Sequence, residues 1–113
     1  MYKQRNCTTG FVYLLRFDRP ISEAHTTQHY IGWTNDLATR MQAHHLGHGS
    51  RLCQVANERG IRFQIARVWR GDRALERKLK RWKCAPKLAR RECSPAGVVE
   101  LSRPEIEEAL IAF

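Results

Sequence analysis

The first strongly apolar stretch of the chain is Gly10-Phe11-Val12-Tyr13-Leu14-Leu15-Arg16-Phe17. It is rich in β-branched and aromatic residues, which fit a pleated, buried surface. Asp18-Arg19-Pro20 follows, and proline, lacking an N–H, cannot continue a central strand. The pattern predicts a strand, then a turn. After a polar stretch from Ile21 to Gln28 with little to bury, His29-Tyr30-Ile31-Gly32-Trp33 repeats the apolar character. Together the two segments read as a β-hairpin with a long connection.

Helical spacing takes over at Thr34-Asn35-Asp36, whose side-chain oxygens can accept from free backbone N–H groups. Leu37, Met41 and His44 or His45 then recur one turn apart until Gly47, predicting a helix from about Asp36 to Leu46. Ser50 can cap a second, shorter helix carrying Leu52, Val55 and Ala56 and closed by Gly60. Phe63 to Trp69 reads as a third strand. Beyond Gly71-Asp72, Leu75, Leu79 and Trp82 mark one apolar stripe, while Arg77, Lys78, Lys80, Arg81 and Lys83 crowd the remaining surface. That helix is amphipathic and basic, and Pro86 is expected to end it. Lys87 to Glu92 is basic and ambiguous. Ser102-Arg103-Pro104-Glu105 has capping-box spacing and leads into Ile106, Leu110 and Phe113, a small closing helix. No internal repeat or low-complexity tract appears.

At 113 residues, with 42% hydrophobic and 27% charged residues, the chain suits one folded domain. Its longest apolar run, Phe11 to Leu15, is far short of a membrane span, and the polar start lacks a signal-peptide core. No membrane partner and a cytoplasmic location are expected. Charge narrows the picture further. Before Ser94 there are nineteen basic and seven acidic residues, a balance of +12; from Ser94 onward there is one against four, or −3. A basic body suits a polyanion, and phosphate backbones are the commonest such partner because each neutralised phosphate releases counterions. A charged surface serving solubility is the competing explanation.

Cys7, Cys53, Cys84 and Cys93 form no C-x-x-C pair, so free thiols are expected, with Cys53 in the core. His44, His45 and His48 beside Cys53 invite a zinc site. Gly47 breaks the helix between the second and third of these histidines, and the spacing is no established zinc pattern. His25 and His29, around the hairpin connection, are expected to be exposed.

The order strand, strand, helix, helix, strand, basic helix carries a specific set of polar residues: Phe11-Val12-Tyr13, then Tyr30-Ile31-Gly32, Arg40 ten positions after Tyr30, His44 one turn on, and Glu76 in the basic helix. This set resembles the GIY-YIG nuclease family, and the segment Leu75 to Lys83 is similar to the last helix of its small stand-alone bacterial members, which are related to the nuclease domain of the excision-repair incision subunit. The resemblance spans about Gly10 to Glu92 and includes the turn Gly32 to Leu37. Three departures stand out. Phe11 replaces the name-giving glycine, the two motif tyrosines are 17 apart because of an inserted loop at Asp18 to Gln28, and no asparagine follows Glu76. The supporting role of that asparagine is either absent or filled by another group such as Lys87.

The resemblance implies an α/β fold, a small three-stranded antiparallel sheet flanked by helices, in residues 1–93; residues 94–113, outside the resemblance, read from their charge and capping box as an acidic extension bearing a short helix and packed on the same domain. It implies a divalent-metal-dependent endonuclease hydrolysing phosphodiester bonds in DNA, directed by structure or damage, with Mg²⁺ or Mn²⁺ as cofactor. Tyr13, Tyr30, Arg40 and His44 are the implied catalytic residues, and Glu76 the metal ligand. Tyr13 would act as, or relay to, the general base; Tyr30 would orient water or phosphate; Arg40 would pair with phosphate oxygens; His44 would accept a proton or bind phosphate. Arg77, Lys78, Lys80, Arg81, Lys83 and Lys87 are candidates for contacts to the backbone of DNA, or of RNA. The alternative is a non-catalytic nucleic-acid-binding module on the same scaffold. Taken singly, each residue also has a plainer role: strand tyrosines pack, and Glu76 stands one turn before Lys80, a pair worth about 0.2–0.5 kcal/mol.

Overall fold

The structure, a computed structural model, describes residues 9–24 and 26–111. Cys7, His25 and Phe113, named above, lie outside the described residues. Three strands, β1 (Gly10–Phe17), β2 (His29–Thr34) and β3 (Phe63–Gly71), form one antiparallel sheet in the order β2-β1-β3. The strand richest in apolar residues is therefore the central one, covered on both faces, which explains why Val12, Leu14 and Leu15 are completely enclosed. Tyr13 pairs with Gly32 on one side and Val68 on the other.

The helices divide between the two faces. α1 (Leu37–His45) and α2 (Arg51–Glu58) cover the face bearing Tyr13, Leu15 and Phe17, with Leu37, Met41, Cys53 and Ala56 as their contribution to the core. α3 (Arg73–Trp82) and α4 (Ala85–Ala89) cover the face bearing Val12, Leu14 and Trp69, through Leu75, Leu79 and Leu88. α5 (Arg103–Ala109) returns to the first face and inserts Ile106. Each enclosed side chain of this size contributes about 1.5–3 kcal/mol relative to exposure.

Local signals set the helix starts. The Asp36 carboxylate accepts from the Thr39 N–H, the Ser50 hydroxyl from Cys53 and the Asp72 carboxylate from Leu75, and Ser102 and Glu105 form the full reciprocal box. The end of α3 differs from expectation. It stops at Trp82, not at Pro86, because Lys83 turns left-handed at φ 52°. Pro86 instead sits in the first turn of α4, where its missing N–H has no helical partner to lose. Trp82, read as part of the apolar stripe, is 37% exposed, with the Lys78 ammonium 5.7 Å from its ring centre.

A register shift between Leu14 and Leu15 marks a bulge in β3, where Leu14 pairs with Arg67 and Leu15 with Ile65. Arg67 is thereby turned into the α3/α4 side of the sheet. Its guanidinium donates to the carbonyls of Leu88 and Cys93, to Ser94 Oγ, and to both carboxylate oxygens of Glu100, the shortest at 2.6 Å. The segment before α5 also pairs with β3, Arg70 N–H donating to Val99 O and Leu101 N–H to Val68 O, and Leu101 reaches the core.

Candidate functional site

The candidate chemistry sits at the β2 edge of the sheet. Tyr13 projects from β1 toward α1, and its hydroxyl shares a 2.7 Å hydrogen bond with Nε2 of His44, in the last turn of α1. The two rings meet edge to face with centroids 5.6 Å apart. Tyr30, on β2, completes the cluster at 5.6 Å from His44 and 6.2 Å from Tyr13. Close approach requires glycine at two places. A Cβ on Gly32 would collide with the Tyr13 hydroxyl, and one on Gly49 would enter the His44 ring. The glycine of the Tyr30-Ile31-Gly32 motif is thus explained by the tyrosine on the neighbouring strand.

Burial dictates the ionisation of this cluster. Tyr13 is pushed well above the usual phenol range, first by desolvation and then by Tyr30, with Arg40 pulling weakly in the opposite direction. His44 is lowered to about 4, again chiefly by burial, then by the charges of Arg40 and His45. At neutral pH both groups are therefore uncharged, and the hydrogen bond between them is a neutral one. His44 is completely enclosed, so no face of the ring is open to a phosphate, and any role it has is exercised through Tyr13. Its Nδ1 has no hydrogen-bond partner among the described residues. Arg40, one turn earlier on α1, is half-buried and close enough for its charge to act on both groups.

Glu76 approaches from the other face of the sheet. Its carboxylate is 12% exposed and is met by Lys80 Nζ at 3.1 Å and, more loosely, by Arg73 at 4.0 Å. The same Lys80 ammonium lies 5.7 Å from the ring centre of Tyr30. Because β2 is an edge strand, α3 can reach around it, and Lys80 links the carboxylate to the tyrosine cluster. A shallow groove of about 370 Å³ opens there, lined by Tyr30, Ile31, Leu79, Lys80 and Lys83 among others.

As a metal ligand set, this is a single carboxylate. Among the described residues no three His, Cys, Asp or Glu side chains converge so as to hold an ion. One hard oxygen donor fits Mg²⁺ or Mn²⁺, which keep several waters and take few protein ligands; it does not fit Zn²⁺. Two of the three histidines weighed for zinc have other engagements: His44 bonds Tyr13, and His45 stacks on Phe63 at 4.6 Å.

Of the basic residues singled out from the sequence, Arg77, Lys78, Lys80, Arg81, Lys83 and Lys87 are all exposed. Lys80 and Lys83 line the groove, while Lys87, on α4, acts on Cys84 and Glu92. His29 is half-buried, contrary to the expected exposure, because β2 begins against α4; desolvation lowers its pKa, helped by Arg16 and Arg90. Those two arginines were not legible as site residues, since nothing local connects positions so distant in the chain. The chain matches no family model, no curated protein and no solved structure.

Proposed function

We propose that this protein is a divalent-metal-dependent endonuclease of GIY-YIG type that hydrolyses phosphodiester bonds in DNA. The observation that supports this reading most is the gathering of Tyr13, Tyr30 and His44 within about 6 Å of one another, with Arg40 beside them and Glu76 joined to Tyr30 through Lys80. These groups come from four elements, and apart from the pairs one turn apart within α1 and within α3 they share no local reason to meet.

The roles follow from accessibility. Tyr30, the half-buried phenol at the groove, orients the attacking water through its hydroxyl. Tyr13, behind it, is too unfavourable as a phenolate to hold charge at neutral pH. Its hydroxyl donates to His44 Nε2 as its oxygen takes up a proton from the water side, so the proton is passed and no buried anion forms. With a pKa of about 4, His44 holds that proton only transiently and returns it. Arg40, with its permanently charged fork, pairs with phosphate oxygens. Glu76 would hold Mg²⁺ or Mn²⁺, which when bound supplies positive charge to the developing phosphorane and the leaving oxygen. Arg77, Lys78, Lys80, Arg81, Lys83 and Lys87 contact the backbone without reading its sequence, which favours recognition of branched or damaged DNA, or of RNA, by shape.

One observation favours a second reading, a nucleic-acid-binding module without catalysis: both cations that meet Glu76, Lys80 and Arg73, compete with a metal for its oxygens. Incubation of supercoiled and branched DNA with Mg²⁺ or Mn²⁺ separates the two. Metal-dependent nicking that falls about 100-fold or more in both Glu76→Ala and Arg40→Ala is expected. Nicking unchanged in the variants marks a contaminant, and salt-sensitive binding with no cutting by the parent establishes the module.

A further inference from the structure

The groove at Tyr30 adjoins a larger hollow. His29, Ala85 and Pro86 line both, and beyond them a space of about 610 Å³ lies between the start of β2 and α4. That volume falls within the ~300–1,000 Å³ of pockets that take one small ligand. Arg16, exposed on β1, and Arg90, at the end of α4, line it together with His29. Both arginines lie near enough to His29 to oppose its protonation, so a neutral imidazole shares the hollow with two fixed cations. Ala85, Pro86 and Ala89 supply a small apolar wall. Among the described residues, no carboxylate lines either hollow. Glu92 binds Arg90 at 2.7 Å, but both side chains are more than half exposed. Such a pair contributes little and exchanges readily for a phosphate.

Two cations, an aromatic ring and an apolar wall around one hollow form an arrangement that suits a single strand. Unpaired nucleotides can lay a base or sugar on an apolar surface while their phosphates track the charges. A duplex turns its bases inward and offers only phosphates to a broad face.

We propose that the hollow at Arg16, His29 and Arg90 is a subsite for an unpaired DNA strand adjoining the duplex at the candidate catalytic groove. The subsite rests on the nuclease reading of that groove and assigns it a substrate class, DNA at a junction between paired and unpaired segments. Arg16 and Arg90 hold the phosphates, His29 donates one hydrogen bond, and Ala85, Pro86 and Ala89 receive the sugar or base.

Fluorescence anisotropy in EDTA, where no cutting occurs, tests it with a labelled blunt duplex and the same duplex carrying an oligo-dT overhang. The parent is expected to bind the overhang substrate about 10-fold more tightly. Arg16→Ala/Arg90→Ala, at two exposed positions, is expected to bring the two substrates within about twofold while leaving blunt-duplex affinity unchanged, and to flatten the salt slope on the overhang by roughly 0.7 per cation removed. Glu92→Ala, which frees Arg90, is expected to strengthen overhang binding. Equal weakening on both substrates by the double variant, or no preference in the parent, overturns the subsite. Nicking by the parent is scored separately: cutting without overhang preference sinks the subsite alone, and preference without cutting sinks the nuclease reading alone.

Discussion

His44 is a histidine whose position in the fold removes the property for which histidine is usually placed near chemistry. Enclosed against Tyr13, Tyr30 and Gly49, it is lowered to about 4 and stays neutral across the physiological range. The consequence for stability has a definite sign. Above about pH 6.5 the imidazole is neutral in both folded and unfolded chains and contributes no pH dependence. Between about 6.5 and 4 the unfolded chain takes up a proton that the folded one refuses, so stability falls as pH falls, by up to about 1 kcal/mol per pH unit. His29 acts in the same direction. Urea unfolding at a series of pH values in this window is expected to show a shallower decline for His44→Gln than for the parent. Parallel declines would mean that His44 is protonated in the folded protein. The sequence placed His44 one turn from Arg40 and on the same helix as Met41, but a 3.6-residue period says only that a side chain faces inward. That a phenol 31 residues away would meet its Nε2 was not legible.

At the scale of elements, β3 shows where pattern reading fails. Strict alternation from Phe63 puts Ile65, Arg67 and Trp69 on one face. The bulge breaks this, and Phe63, Ile65 and Val68 share the α1/α2/α5 side while Arg67 and Trp69 turn to the other. A single extra residue reverses the facing of everything beyond it. The reversal makes Arg67 a buried tie between β3, α4 and the segment preceding α5. Glu100, whose carboxyl is held below its ordinary range chiefly by the Arg67 hydrogen bonds, is the only acidic group that meets that guanidinium among the described residues. Glu100→Ala is expected to cost about 2–4 kcal/mol in urea or thermal unfolding, because it leaves a buried charge with neutral acceptors only. A loss below about 1 kcal/mol would show that the Leu88 and Cys93 carbonyls and Ser94 suffice.

The turn of α4 has a second consequence, for the cysteines. Cys84 and Cys93 flank the helix, and their sulfurs come within 3.7 Å. Both are thiols in the structure. Hydrogen peroxide, taking two electrons and yielding water, is expected to join them with the loss of two hydrogens per chain, and the short loop closed should stabilise the fold by about 2–3 kcal/mol. Peptide mapping and a thermal melt check this. Oxidation confined to other sulfurs, or no rise in melting temperature, would count against the pairing.

For the molecule as a whole, charge is distributed by use. The exposed cations of α3, its following turn and α4 remain on the surface, whereas Glu100, from the acidic end of the chain, is spent internally on Arg67 and Arg91. If Arg77, Lys78, Lys80, Arg81, Lys83 and Lys87 all meet phosphates, duplex affinity should fall with salt at a logarithmic slope of about −5. Anisotropy titrations over a range of salt measure this directly, and a slope near zero would remove the case for backbone contacts.

The sequence by itself determined what depends on neighbours within a few residues. The strands follow from apolar runs, the helix starts from Asp36, Ser50, Asp72 and Ser102, and the basic surface from the count of charges. The antiparallel three-stranded α/β arrangement was an expectation of the family resemblance, and the sheet has it. Only the tertiary structure decided which distant side chains meet: Tyr13 with His44, Arg67 with Glu100, Cys84 with Cys93, and Arg16 with Arg90 across one hollow. Propensity and capping act through the backbone over a single turn or strand, whereas these meetings depend on register, a one-residue bulge and an exposed sheet edge, which are set when the whole core packs at once.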